Sequence, residues 1–350
     1  MKILFLTSNL SKIGGIQKYI RNLLRALQKN KENILVIELE GSNIKGKLSF
    51  LSRAIRQLFK FKPDIVFCSH INFSPLSYFF KKIFDKNYII LTYGIDVWDL
   101  KGNLKFKALK EAKIIVTISN FTKDKIIQKF PELQDKIFML PNSIDGGEFK
   151  PKKKSLNLLQ KYNLTDEKVI LTITRLLKSE GYKGYDKVIG ALSKIIKEIP
   201  KLKYLLVGAG DDVPRIKKLI NGLNLNNYVI MPGFIPNDEL VDYYNLADVF
   251  VMPSKKEGFG FVFIEALACG KPVIAGSRDG SVDALLDGEL GILVNPDNIN
   301  EIAEATIKVL KKQAPSHLLD SEYLRKRVLE VYGFDKFKER VKNLLYVLSR

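Results

Sequence analysis

The chain has 350 residues, 46% of them apolar and 27% charged, with 57 Lys and Arg against 38 Asp and Glu for a formal net charge of +19. That is a globular composition long enough for two domains with a core each, and its longest apolar runs are far too short to span a bilayer. Its two cysteines, Cys68 and Cys269, sit in apolar surroundings, as in a reduced cytoplasmic protein, which excludes a disulfide scaffold.

In chain order, residues 2–6 read as a first strand rather than a signal peptide, because the apolar start turns polar after about four residues. Lys12-Ile13-Gly14-Gly15-Ile16-Gln17 follows, then an amphipathic helix at 16–29. Adjacent glycines let the backbone turn tightly and approach a ligand, and the helix start can face an anion. A plain strand-to-helix turn has the same signature. Strands at 33–38, 64–68, 88–92, 114–118 and 137–140 alternate with helices at 48–61 and 121–130. His70, one of two histidines, lies just past the third strand, as a ligand-facing or a hydrogen-bonded structural residue. Asp96, on the loop after the fourth strand, is a ligand-facing candidate or a turn aspartate.

The charged stretch Lys150-Pro151-Lys152-Lys153-Lys154 predicts a domain boundary, giving domains at 1–150 and 151–333. Beyond it, strands at 169–174, 204–207, 229–231, 249–252, 273–275 and 291–294 alternate with helices at 186–198, 211–223, 236–244 and 261–268. Such alternation, occurring twice, predicts two similar α/β domains with parallel sheets covered on both faces. Residues 334–350 form one more amphipathic helix, with Phe337, Val341, Leu344 and Leu348 on one side. His317 falls in the late linker with no specific role expected.

Three stretches of the second half carry chemistry. Arg175 ends a strand and Lys183 follows before a helix; together they suit a diphosphate, arginine as a fork and lysine as a point charge, or else they are two solvated cations. Val207-Gly208-Ala209-Gly210 ends a strand in half of a dinucleotide fingerprint and indicates only a close backbone approach. Asp211-Asp212 reads as a cap on the next helix. In "EGFGFVFIEALACGKPVIAG", positions 257–276, Glu257 stands on a glycine-rich loop and Glu265 about a turn into the following helix. Two carboxylates suit sugar hydroxyls while helix-start amides suit phosphate; a surface glutamate plus a capping one is the alternative.

These motifs, in this order, resemble a retaining glycosyltransferase of family 4. The markers are Gly14-Gly15, Pro141-Asn142 before Ile144-Asp145, Arg175 with Lys183-Gly184, Val207-Gly208, Gly233-Phe234, Ala247-Asp248-Val249, Glu257-Gly258-Phe259-Gly260 with Glu265-Ala266, Gly270-Lys271-Pro272, and Gly288 with Gly291. The resemblance implies the GT-B fold, two Rossmann-like domains facing each other across a cleft, with helix 334–350 returning to the first domain. It implies that Arg175 and Lys183 clamp the distal diphosphate of a nucleotide sugar, that Glu257 contacts the sugar and that Glu265 binds the ribose. Gly258, Phe259, Gly260, Phe261 and Val262 would touch sugar and phosphate, Gly208 would belong to the donor site, Phe234 and Ile235 would border the base, and Gly14 and Gly15 would close over the diphosphate. No cofactor and no metal are expected, since the two cations neutralise the leaving group and there is no Asp-x-Asp.

Many relatives carry histidine where Tyr93 stands, so either the Tyr93 hydroxyl or its carbonyl is left to meet the sugar. Ser143 replaces a common glycine. The first domain would receive a glycan or lipid-linked acceptor, with His70 as a candidate for acceptor contact and Asp96 for sugar or acceptor contact. Positions 1–150 hold 26 Lys and Arg against 13 Asp and Glu. Helix 48–61, with Leu51, Ile55, Leu58 and Phe59 on one side, and the aromatic and basic run 78–84 could rest on an anionic membrane, or could simply pack on the sheet. The expected location is cytoplasmic and membrane-peripheral. A nucleic-acid binder would explain the charge but lacks any base-reading module, so no nucleic-acid partner is expected. A non-catalytic nucleotide-sugar subunit would not need both glutamates, and a sugar phosphorylase on the same fold is the nearest rival.

Overall fold

The computed structural model describes residues 1–41, 43–100 and 102–350. The chain forms two compact units, Met1–Ser143 together with Phe334–Arg350, and Ile144–Gly333. The change of unit falls at Ser143, before the expected 150. The basic stretch 150–154 belongs to the second unit because it is tied down there: the Lys152 amide donates to Asn245 Oδ1 at 2.7 Å and Lys154 Nζ reaches Asp248 at 3.2 Å.

In the first unit, β1 (Lys2–Ser8), β2 (Asn33–Leu39), β3 (Ile65–Cys68), β4 (Tyr88–Thr92), β5 (Ile114–Thr117) and β6 (Ile137–Met139) make one sheet in the order β2-β1-β3-β4-β5-β6. Every pairing is parallel. The central strands are buried on both faces, which is why they read as unbroken apolar runs rather than alternating ones. Helix Phe334–Ser349 belongs to this unit: the Phe337 ring meets Tyr19 edge-on at 5.9 Å, and the Arg25 guanidinium lies 4.3 Å from the centre of the Phe334 ring.

In helix Ile44–Lys60 the buried residues are Phe50, Ala54 and Leu58; of the expected stripe Leu58 is buried and Ile55 packs partly buried against the same core. Leu51 is 36% exposed and Phe59 61% exposed, so the core face lies rotated about one position from the expected stripe. Phe59 stands edge-on to Phe84, and Phe84 to Phe79, an aromatic group whose outer members are exposed. Among the described residues no helix is long and apolar enough to cross a membrane.

In the second unit, β7 (Lys168–Ile173), β8 (Leu202–Val207), β9 (Val229–Gly233), β10 (Val249–Met252), β11 (Val273–Gly276) and β12 (Ile292–Val294) form a parallel sheet ordered β12-β11-β10-β7-β8-β9. Its core joins Ile170, Leu206, Val251 and Ile274 of the sheet to Val188, Leu192 and Ile195 of helix Tyr185–Glu198 and to Ile302 and Val309 of helix Ile299–Leu310. The late segment expected as a linker is helical: Asn298 and Asp320 accept from the first amides of helices Ile299–Leu310 and Ser321–Tyr332. His317 lies in the short helix Ser316–Leu319 with its ring edge-on to Tyr323.

Each sheet reverses its strand order once, between β1 and β3 in the first unit and between β7 and β10 in the second. In open parallel sheets, such reversals splay the following loops apart and leave a crevice at the carboxyl ends of the strands. Gly14, Gly15 and His70 fall at the first of these places and Arg175, Lys183 and Glu257 at the second, while Tyr93 and Asp96 follow β4, Gly208 follows β8, and Phe234 and Ile235 follow β9.

Candidate functional site

The loop after β7 carries Arg175 and Lys183, and the loop after β10 carries Glu257, so the switch point of the second unit brings the three together. Lys183 Nζ donates to Glu257 Oε2, and the two side chains are only 14% and 18% exposed. Burial disfavours the charged lysine, but the adjacent Glu257 carboxylate outweighs it and holds the ammonium above its ordinary range. Lys183 is therefore a fixed positive charge at every physiological pH. Arg175, largely exposed, donates to Glu180, a buried carboxylate whose Oε2 has no hydrogen-bond partner among the described residues. Both cations are thus parked on carboxylates. A diphosphate arriving here would meet two oriented donors.

The glycines around them divide by cause. A Cβ on Gly208 would stand 1.8 Å from the Thr174 carbonyl oxygen, and one on Gly210 2.1 Å from that of Leu176. The close approach foreseen at Gly208 is therefore to the chain's own backbone, which explains the glycine without a ligand. Gly260 has φ of 93°, and a Cβ there would run into the Phe263 ring, so the turn into helix Phe261–Ala268 requires glycine. Gly258, Phe261 and Val262 line that same turn. Phe259 is buried edge-on against Tyr332, leaving only its backbone to face a ligand.

Glu265 is 5% exposed and accepts from the Tyr244 hydroxyl at 2.7 Å, so it is a held carboxylate rather than a solvent one. Beyond β9, Phe234 is 57% exposed while Ile235 is buried at 7%. Asp212 does not cap the next helix with its side chain. It is buried and receives the Tyr185 hydroxyl at 2.6 Å and the Arg215 guanidinium at 2.6 and 2.7 Å, which pull its carboxyl below the usual range. Asp211 accepts from the Lys178 amide at 2.9 Å.

Two contributors escaped the sequence reading, Glu180 and Asp279. Asp279, after β11, is fully buried and accepts from Ser254 Oγ at 2.6 Å and from the Glu257 amide at 2.7 Å. A carboxylate between two candidate cations was a usable signal for Glu180. Asp279 gave none, since a lone acid in a polar loop looks like any turn residue.

In the first unit, a cavity of about 770 Å³ opens at the β1/β3 switch point, with Ser8, Gln17, His70, Phe50 and the lysines Lys47 and Lys105 in its wall. His70 Nδ1 accepts from the Asn72 amide at 3.1 Å, and burial, helped by the Lys105 charge, lowers its pKa to about 4. It is a neutral imidazole with Nε2–H as donor. The Tyr93 hydroxyl is committed to the Ser69 carbonyl at 2.9 Å, which removes it as a sugar donor and leaves its carbonyl. Asp96 Oδ1 accepts from the Tyr93 amide at 3.0 Å, the turn role, while its Oδ2 is buried without a partner among the described residues. Burial raises its carboxyl to about 7. Gly14 has φ of 170°, open to any residue, and a Cβ there would meet only the mobile end of Gln17. The fold alone therefore does not demand glycine at 14. Gly15 begins helix Gly15–Lys29.

Two parallel six-stranded α/β units of this topology fit the GT-B fold. Residues 155–327, nearly all of the second unit, match the family described as "Glycosyl transferases group 1". The matched residues hold Arg175, Lys183, Glu257 and Glu265, four of the markers by which the chain resembles glycosyltransferase family 4. Among solved structures, Anabaena Alr3699/HepE in complex with UDP matches with a TM-score of 0.81 at 19% identity, covering 99% of this chain and 100% of that one. Sucrose-phosphate synthase from Thermosynechococcus elongatus matches with a TM-score of 0.82 at 20% identity, covering 100% and 99%. Among curated proteins, GDP-mannose-dependent alpha-(1-6)-phosphatidylinositol monomannoside mannosyltransferase of Mycolicibacterium smegmatis is 29% identical over 203 residues, 56% of this chain and 52% of that protein. N-acetyl-alpha-D-glucosaminyl L-malate synthase of Bacillus anthracis is 28% identical over 200 residues, 57% and 51%. The match spans about half the length of these curated relatives.

Proposed function

We propose that the chain is a retaining glycosyltransferase that moves a hexose-type sugar from a UDP- or GDP-sugar to a hydroxyl of a glycan or lipid-linked acceptor. The observation that carries this reading is the largely buried Lys183–Glu257 pair at the β7/β10 switch point, with Arg175 on the same loop as Lys183. Lys183 and Arg175 would exchange their carboxylate partners for the donor's diphosphate, and Glu257, released, would accept from sugar hydroxyls. Glu265 would accept from the ribose.

Transfer is direct. The acceptor oxygen bonds to the anomeric carbon on the face from which the nucleotide leaves, the sugar–phosphate bond breaks, and a departing phosphate oxygen takes the acceptor's proton. The chain's own work is to align the partners and to neutralise the charge growing on the leaving group. Two cations supply that neutralisation, so the reaction is proposed to need no metal.

A ligand that binds only the folded chain must raise its melting temperature. One among UDP-glucose, UDP-N-acetylglucosamine and GDP-mannose is expected to do so with EDTA present, and transfer from it is expected to persist in EDTA. A panel without any shift would contradict donor binding, and activity restored by magnesium would contradict metal independence. Sugar 1-phosphate formed from inorganic phosphate would favour the phosphorylase reading.

The first-unit cavity, whose wall joins His70, Lys47, Lys105 and the polar Ser8, Gln17, Ser69 and Asn72 to apolar Phe50, Leu51, Phe73 and Leu76, suits an acceptor that carries an anionic group and apolar surface. Ile44, Leu48, Phe59 and Ile83 are at least 60% exposed on neighbouring basic elements, which suits an anionic lipid surface. The chain is expected to co-sediment with vesicles containing phosphatidylglycerol, and F59S/I83S to do so at least several-fold less. Equal sedimentation with pure phosphatidylcholine, or none, would contradict a membrane role.

A further inference from the structure

One buried carboxylate of the second unit is used by none of the steps above. Asp279 Oδ2 receives two donors, Ser254 Oγ and the Glu257 amide, and its Oδ1 receives the Ser281 amide at 2.9 Å. The next residue completes the clasp: the Gly280 amide donates to the Glu257 carbonyl at 2.8 Å. Both backbone groups of Glu257 are therefore held by residues 279 and 280. The fit is close, since a Cβ on Gly280 would stand 2.2 Å from the Gly258 carbonyl oxygen. From the other side, the Lys255 amide donates to the Tyr182 carbonyl at 2.9 Å, next to Lys183.

Three donors converge on this one side chain, a demand that suits a carboxylate, which only accepts. An asparagine has the same shape but must turn its NH2 toward one of them, leaving a buried N–H or O–H opposed by another donor. A carboxylate without a counter-cation is expensive to bury, and burial lifts Asp279 to about 6. Ser254, Asp279 and Ser281 are all fully buried, so no water substitutes for a lost bond.

We propose that Asp279 is a positioning residue for Glu257: it locks the 254–258 loop so that the Glu257 carboxylate is presented at the β7/β10 switch point, where Lys183 meets it. The proposal rests on the reading that Glu257 contacts the donor sugar. It separates nucleotide binding, which Arg175 and Lys183 provide, from recognition of the sugar, which depends on the loop being held.

Calorimetric titration of the full chain with UDP and UDP-glucose, or with GDP and GDP-mannose, whichever pair binds, tests this in wild type, D279N, S254A and E257Q. D279N is expected to bind the bare nucleoside diphosphate within about twofold of wild type. It is expected to lose about tenfold or more of the affinity that the sugar adds, and roughly 10²-fold in kcat/KM, the scale set by a misplacement of about 1 Å. S254A, which removes one of the two donors on Oδ2, is expected to show the same pattern more weakly and keeps the test available should D279N not fold. If E257Q retains the sugar's added affinity, the reading of Glu257 itself is wrong. If E257Q loses it while D279N and S254A keep it, or if they weaken nucleotide and nucleotide sugar alike, the positioning role is overturned.

Discussion

Lys183→Ala is expected to lower kcat/KM by roughly 10³-fold or more, with the circular dichroism spectrum of the wild type kept. Removing a single neutral donor from a charge-stabilising site costs about 10²–10³ in rate, and Lys183 is a fully charged donor with 14% of its side chain exposed. The substitution also strands Glu257. Its carboxylate would then face the incoming diphosphate without a counter-charge, so the loss exceeds that of a vanished contact. Titration with the bare nucleoside diphosphate should show weaker binding as well, because the lysine acts on the diphosphate and not on the sugar. Turnover near that of the wild type would show that Lys183 plays no part in the chemistry.

Glu257→Ala is expected to act in the complementary way, with kcat/KM down by about 10²–10³-fold and affinity for the bare nucleoside diphosphate kept or improved, because Lys183 is released from its partner. Stability should fall too. Breaking a buried ion pair by removing one member costs about 3–5 kcal/mol, since the remaining charge is left uncompensated, and the value here belongs at or below the low end because neither side chain is fully buried. Replacing both members, Lys183→Met with Glu257→Gln, should recover most of that stability and none of the activity. Urea unfolding alongside steady-state kinetics separates the two effects. A double variant as unstable as either single one would show that the pair is not the source of the loss.

The strands were legible because the central ones, buried on both faces, must be short, β-branched and apolar, and the twelve among the described residues stand where short apolar runs occur. The loops carrying Arg175, Lys183 and Glu257 were legible from charged residues and glycines placed just past strand ends. That Lys183 and Glu257 are paired was not, since they lie 74 positions apart and only the adjacency of β7 and β10 joins them. Asp279 was invisible for the same reason: its meaning depends on Ser254 and Glu257, which reach it only through the pairing of β10 with β11. At Lys150–Lys154, composition misled. A run of lysines reads as a solvated linker, yet Asn245 and Asp248, more than 90 positions on, anchor it inside the second unit. At Tyr93 and Asp212 the residue type was compatible with the expected role, but each side chain was already bound elsewhere, the first to Ser69 and the second to Tyr185 and Arg215.

The most direct measurement is a crystal structure of the chain with the nucleotide sugar that raises its melting temperature most. The account predicts that Lys183 and Arg175 leave Glu257 and Glu180 for the diphosphate oxygens, that Glu257 accepts from hydroxyls of the sugar, and that Glu265 accepts from the ribose. A bound donor around which Lys183 and Glu257 remain paired to each other, touching neither diphosphate nor sugar, would contradict it.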